Sequence, residues 1–175
     1  MLSRFLGTDK SVIAARRLYD TMIARAREPV FHVRFAVPDT IDGRFDLLAL
    51  HAFPLMEALK STQPKGAQIG VQLASVIFAG FDDALRELGV SDFGISRRMK
   101  ALAGAFYGRL EAYDLAASEP ALSEAIVRNL YRANEMRVRE AEILAHYIIL
   151  ARVVLRAQSD ALLQGAADFG PLPEI

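Results

Sequence analysis

From Ser11 to Leu163 apolar residues recur at helical spacing, and only one stretch, Val30 to Val37 (VFHVRFAV), has the composition of an extended segment. That solitary stretch constrains the fold most. A strand needs a neighbour to satisfy its backbone groups, and a lone strand has none. It is therefore expected to lie as a strap across helices. The chain is then all-α, a single-domain helical bundle of about six helices with one extended strap. At 175 residues, 53% of them hydrophobic, the chain can bury a core without covalent staples and is not intrinsically disordered.

Local signals set the expected boundaries. The first helix runs from Ser11 to Arg27, with Leu18, Met22 and Ala26 on its apolar face, and stops before Pro29. Pro38 to Gly43 turns the chain, with Asp42 placed to cap a second helix, Arg44 to Ser61, that Pro54 should kink. Ser61 to Gly66 (STQPKG) is a loop, and a third helix from Gln68 to Leu88 stops at Gly89. Ser91 to Gly94 turns into a fourth, Ser96 to Ala117. Ser118-Glu119-Pro120 starts a fifth, Pro120 to Arg132, with Ser118 as cap. A sixth runs from near Asn134 to Leu163 and ends at Gly165. Residues 1–165 thus make one domain, and 166–175, with Pro171 and Pro173, a loose tail.

Composition removes several function classes. Lys plus Arg equals Asp plus Glu at 21 each, which argues against sequence-independent nucleic-acid binding; no DNA partner is expected, and any basic patch is local. Without cysteine there is no disulfide, thiolate nucleophile, iron–sulfur cluster or Cys-ligated zinc. The most apolar stretch, Ile143 to Leu155, holds His146 and Arg152 and falls short of the about 20 residues of a bilayer span. Met1 to Arg17 carries Arg4, Asp9, Lys10, Arg16 and Arg17 and lacks the apolar core of an export signal. A soluble protein, at most peripherally attached to a membrane, is the expectation.

Catalytic and metal patterns are weak. None of His32, His51 and His146 follows a Glu by three residues, as a di-iron bundle requires, and Glu142–His146 is a single pair. No metal or other cofactor is expected; His51 and His146 read as partly buried and hydrogen-bonded. Asp39, Asp42 and Asp46 surround Gly43-Arg44 with the wrong spacing for a calcium loop, and read as a cap and an ion pair to Arg44. Asp82–Arg86 and Glu135–Arg139 read as surface pairs four apart on a helix. With no phosphate loop and no nucleophile elbow, the chain is read as no enzyme.

The fourth helix is the most informative segment. Met99, Leu102, Phe106, Leu110 and Tyr113 make a core-type stripe, next to a ridge of small residues, Ala101, Ala105, Gly108 and Ala112, with Gly104 beside it. Glycine in a helix costs about 1 kcal/mol relative to alanine, so the ridge implies close approach of another backbone. Tight packing inside the bundle is the plainer source of that approach; a groove for a partner helix is the other. Arg97, Arg98, Lys100 and Arg109 add four cations with no acid from Ser96 to Leu110, next to Phe106-Tyr107. Arg–aromatic surfaces are frequent at protein interfaces.

The stretch Phe81 to Tyr113 (FDDALRELGVSDFGISRRMKALAGAFYGRLEAY) resembles the signature of the ubiquinol–cytochrome c chaperone family. Val37 to Lys60 (VPDTIDGRFDLLALHAFPLMEALK) and Leu18 to His32 (LYDTMIARAREPVFH) are similar to its upstream blocks, and DGRFD and AFYGR are the most specific segments. The resemblance implies a non-catalytic assembly factor whose client is the cytochrome b polypeptide, with contact to the ribosome or a membrane surface through a basic patch. The lack of a long presequence suggests a bacterial member, expected to be cytoplasmic or peripheral at the inner membrane. The client is expected in an apolar groove with a basic rim, contacted by Arg44, Arg97, Arg98, Lys100, Tyr107, Gly108 and Arg109. The alternative is a helical carrier of a small apolar ligand such as a quinone or a lipid.

Overall fold

The computed structural model describes residues 9–87, 89 and 91–174; Arg4, the Leu88 end of the third expected helix and Ile175 lie outside them. The described residues contain helices and no strand: α1 (Lys10–Ala26), α2 (Val30–Val33), α3 (Ile41–Ser61), α4 (Lys65–Glu87), α5 (Asp92–Asp114), α6 (Glu119–Asn129), a 3-10 turn (Glu135–Arg137), α7 (Val138–Arg156) and α8 (Ser159–Leu163). The all-α reading holds.

α3 is the hub, and its sequence explains why. LLALHAFPLMEAL is apolar nearly all round, so the helix is covered on every side rather than along one stripe. Leu48, Ala52, Leu55 and Leu59 meet Leu18 and Met22 of α1, Leu73 and Ile77 of α4, and Phe106 of α5. Leu47, Leu50 and Phe53 meet Tyr113, Ile126 of α6 and Leu144 and Ile148 of α7. The helix continues through Pro54, which is buried.

Its start differs from the expected one. Thr40, not Asp42, is the cap: the Gly43 N–H donates to Thr40 Oγ1 at 3.1 Å, which adds a turn beginning at Ile41. Asp42 falls in that first turn, where a negative charge suits the helix dipole. Residue 43 must be glycine, because any Cβ there would run into the Pro38 carbonyl.

The strap is also modified. Val30–Val33 closes one helical turn, and the Val37 N–H returns to the Phe31 carbonyl at 3.0 Å. A turn supplies backbone hydrogen bonds internally, which a lone extended segment cannot do. Phe31, Phe35 and Val37 still plug the core from this segment.

Two other boundaries move outward: α4 starts at Lys65, leaving residues 62–64 as the loop, and α5 starts at Asp92 instead of turning there. Ser118 caps α6 as expected, accepting from the Ala121 N–H at 3.3 Å. The sixth expected helix is broken into the 3-10 turn, α7 and α8. At the second break Gln158 clamps the tail, its Nε2 donating to the Asp168 carbonyl at 2.8 Å and its Oε1 accepting from the Asp168 N–H at 2.9 Å. The tail is therefore held, not loose. Its prolines prevent a helix, yet Phe169 is only 1% exposed within the core, and the Gly170 carbonyl accepts from Arg25 at 2.7 Å.

Candidate functional site

Between the first half of α4 and the last half of α5, with α3 as floor, lies an open cleft of about 750 Å³. Met56, Ala67, Gly70, Val71, Ala74, Tyr107 and Leu110 form most of its wall. The cleft stays open because α4 presents small residues at helical spacing: a Cβ on Gly70 would meet nothing within 4 Å, and Val71 is 65% exposed. Rings mark its limit, with the Phe78 and Tyr107 centroids 5.7 Å apart and Phe106 against both.

The charges around the cleft are Glu57, Lys60, Glu111, Asp114 and Arg156. Glu57 is tied into the wall by Arg152, at 2.7 and 2.8 Å, and by Arg156 at 2.6 Å. Burial alone would raise its pKa, but the bonds and charges of those two guanidiniums outweigh that and hold the carboxyl below its ordinary value. The mouth is thus of mixed charge, and the acids Glu111 and Asp114 stand on its α5 side. Arg97, Arg98 and Lys100, expected as the basic rim of a client groove, are not among the cleft's lining residues.

The seven expected contact residues separate into four groups. Arg97, Arg98 and Lys100 are exposed, but on the first half of α5, away from the cleft lining. At about 100° per residue Lys100 continues the face of Tyr107, while Arg98 points to the opposite side. Tyr107 lines the cleft, and Gly108 next to it is open, with nothing within 4 Å of a Cβ; Gly104 is equally bare. The two glycines are therefore not packed inside the bundle, while Ala101 is exposed and Ala105 and Ala112 are half-buried. Phe106 and Tyr113, read as core, are fully buried.

Arg44 and Arg109 form the other groups. Arg44 is exposed and paired with Asp39 at 2.7 Å. Arg109 is an internal residue, 13% exposed at its side chain, whose Nε donates to Asp46 Oδ1 at 2.6 Å; its guanidinium lies 4.9 Å from the Phe45 ring centroid. Asp46 is 1% exposed, and Arg132 Nη2 approaches its other oxygen at 2.9 Å. The ion pair joins DGRFD to AFYGR, 63 residues apart, and pins α5 on α3. Burial pushes the Asp46 carboxyl up to about 6, against the pull of Arg109 and Arg132.

Beside this latch the Tyr113 hydroxyl is buried without a hydrogen-bond partner among the described residues, and burial raises its pKa. An unsatisfied hydroxyl contributes no net hydrogen bond, so Tyr113→Phe is expected to leave stability unchanged or raise it by about 1 kcal/mol. Urea unfolding measures this; a clear loss of stability would show that the hydroxyl is in use.

The histidines divide. His51 is fully buried, its Nδ1 donating to the Leu47 carbonyl at 2.8 Å and its Nε2 accepting from the Tyr147 hydroxyl at 3.0 Å. The carbonyl can only accept, which fixes the neutral tautomer. Burial lowers the His51 pKa to about 4. His146, expected to be partly buried, is exposed, 3.5 Å from Glu119. Asp82–Arg86 pair at 2.6 Å as read, whereas near the start of α7 the pair is Arg137–Glu140, also at 2.6 Å, and not Glu135–Arg139. Among the described residues no group of three or more acids and histidines could hold a metal ion, and no helix is long and apolar enough to cross a membrane.

Sequence reasoning missed the α4 wall and the Asp46–Arg109 latch. The wall had a readable signal, Ala67, Gly70, Val71 and Ala74 on one helical face. The latch had none beyond the specificity of the two segments it joins.

Known proteins resemble this chain in sequence, and one of them in structure. The pattern of the family described as ubiquinol-cytochrome C chaperone matches residues 33–169. The mouse and human proteins named ubiquinol-cytochrome c reductase complex assembly factor 1 are each 23% identical over 169 residues, which is 94% of this chain. The chain spans 57% and 56% of their lengths respectively, and 84% of a Xenopus laevis relative, also 23% identical. The crystal structure of the Cbp3 homolog from Brucella abortus superposes with a TM-score of 0.81 at 35% identity, covering 90% of this chain and 89% of that one. Both segments of the latch lie inside the matched region, and the chain belongs to the ubiquinol–cytochrome c chaperone family.

Proposed function

We propose that this chain is a non-catalytic assembly factor for the ubiquinol–cytochrome c reductase complex, and that it holds an apolar segment of the cytochrome b polypeptide in the α3/α4/α5 cleft. Family membership and the names of the mouse and human relatives support the role. The open cleft is the observation that carries the site. A nascent membrane subunit presents apolar helices that aggregate if left free. A cleft walled by Gly70, Ala67 and Ala74 admits bulky side chains of such a helix close to the α4 backbone. Its wide mouth suits a polypeptide better than a quinone or single lipid, which favour enclosed pockets that bury most of the ligand.

Filling the cleft tests the reading. Gly70→Phe with Ala74→Phe adds rings to an open wall, so the protein should melt near the wild-type temperature. Client capture should weaken on the order of tenfold or more, equivalent to about 1.4 kcal/mol. A strain carrying only this variant should accumulate less haem-bearing cytochrome b. Full cytochrome b with the cleft filled rejects the site, and full cytochrome b in a deletion strain rejects the role.

A further inference from the structure

One face of α5 bears a pattern that the client reading uses only at its C-terminal half. Arg97, Lys100, Gly104, Tyr107, Glu111 and Asp114 follow one another at alternating spacings of three and four residues, and all six are exposed. That spacing is the seam of a helix–helix contact. Its charges are ordered, with two cations at the start, two anions at the end, and a glycine and a tyrosine between.

Turning the helix end for end about a point midway between residues 105 and 106 sets Arg97 against Asp114, Lys100 against Glu111, and Gly104 against Tyr107. The shapes match as well as the charges. Tyr107 is 49% exposed, and a Cβ on Gly104 would meet nothing within 4 Å, so a facing ring can lie over bare backbone. Within one chain Lys100 and Glu111 cannot meet, being about 16 Å apart along the helix axis.

We propose that a second copy of this chain docks here, α5 against α5, antiparallel about a two-fold axis. Such a contact uses the same patch on both copies and closes on itself, giving a dimer and not a filament. Because Tyr107, Glu111 and Asp114 also line the cleft, the dimer is the client-free form; that competition, unlike the contact itself, rests on the cleft being the client site.

Sedimentation velocity of the purified chain at about 100 µM tests the contact without any client. The wild type should sediment as a dimer in low salt and as a single 19.3 kDa chain near 1 M salt, where exposed charge pairs are screened. Lys100→Glu alone sets acid against acid twice, and Glu111→Lys alone sets base against base twice. Each should raise the dissociation constant by about tenfold or more. Mixed in equal amounts, the two variants should dimerise again, because each then meets its complement at both positions. A parallel pairing would set Lys100 on Lys100 and Glu111 on Glu111 in the wild type, so a salt-sensitive wild-type dimer together with that rescue marks the antiparallel one, and the rescue also shows both variants to be folded. A wild type that stays monomeric in low salt, a dimer indifferent to either reversal, or a mixture that remains monomeric would each overturn the proposal.

Discussion

Arg109→Met should destabilise the protein by about 3–5 kcal/mol, although it removes a residue whose sequence context reads as surface. The substitution keeps most of the side-chain volume and the apolar stem that lies on Phe45. It removes a guanidinium 2.6 Å from a carboxylate that is 1% exposed. Taking one partner from a buried pair leaves an uncompensated charge, and that penalty, more than the lost attraction, sets the size of the effect. Arg132 offsets part of it from 2.9 Å. The loss should be largest at neutral and alkaline pH. The unpaired Asp46 takes up a proton more readily than in the wild type, where its pKa is already about 6, so the deficit shrinks as pH falls. Arg97→Met on the exposed face is the control and should change stability by about 0.5 kcal/mol or less. Urea unfolding of both variants at pH 8 and pH 5 decides; equal, small effects would mean that the latch contributes nothing.

His51→Phe separates a second buried group from the rest of the titration. Neutral His51 bridges Leu47 of its own helix and Tyr147 of α7 and packs edge-on against Phe31 and Phe169. Its pKa is about 4 in the folded chain and 6.5 in the unfolded one, so the unfolded chain binds the extra proton first. Stability from this group is present above pH 6.5 and declines as pH falls toward 4, by about 3 kcal/mol in all. Asp46, with a raised pKa, has the opposite slope between about 6 and its ordinary 3.8. The two partly cancel in the wild type, which hides both. The difference between wild type and His51→Phe isolates the histidine. It should be constant above pH 7, where the variant is less stable because the Tyr147 hydroxyl loses its acceptor, and should narrow by about 3 kcal/mol as pH reaches 4. A constant difference across that range would show that His51 titrates as in the unfolded chain.

These two residues also show what could be read in the sequence. Helix type and order were legible, because periodic apolar residues and caps such as Ser118 act within a few positions. Ends set by a chemically plain residue were not: Gln158 breaks the last long helix by bonding the tail, and nothing in its local sequence says so. The small ridge on α5 was legible as a place of close approach but not as an outward-facing one, since Gly104 and Gly108 look the same whichever neighbour comes near. Arg109 reads like Arg97, a cation on the same helix. Only the fold brings Asp46 to it from 63 residues away. The specific DGRFD and AFYGR segments marked the right residues for what proves to be an internal tie.

The position of α3 has a consequence for the order of synthesis. It is the most thoroughly enclosed helix, yet it leaves the ribosome before α4 and well before α7. Its two sides face different neighbours, one sealed by α1, α4 and Phe106, the other by α6, α7 and Tyr113. Neither side can close on α1 and α2 alone. The Phe169 that packs beside His51 follows all eight α-helices in the chain. Until α7 has been made, therefore, one side of this long apolar helix stays uncovered.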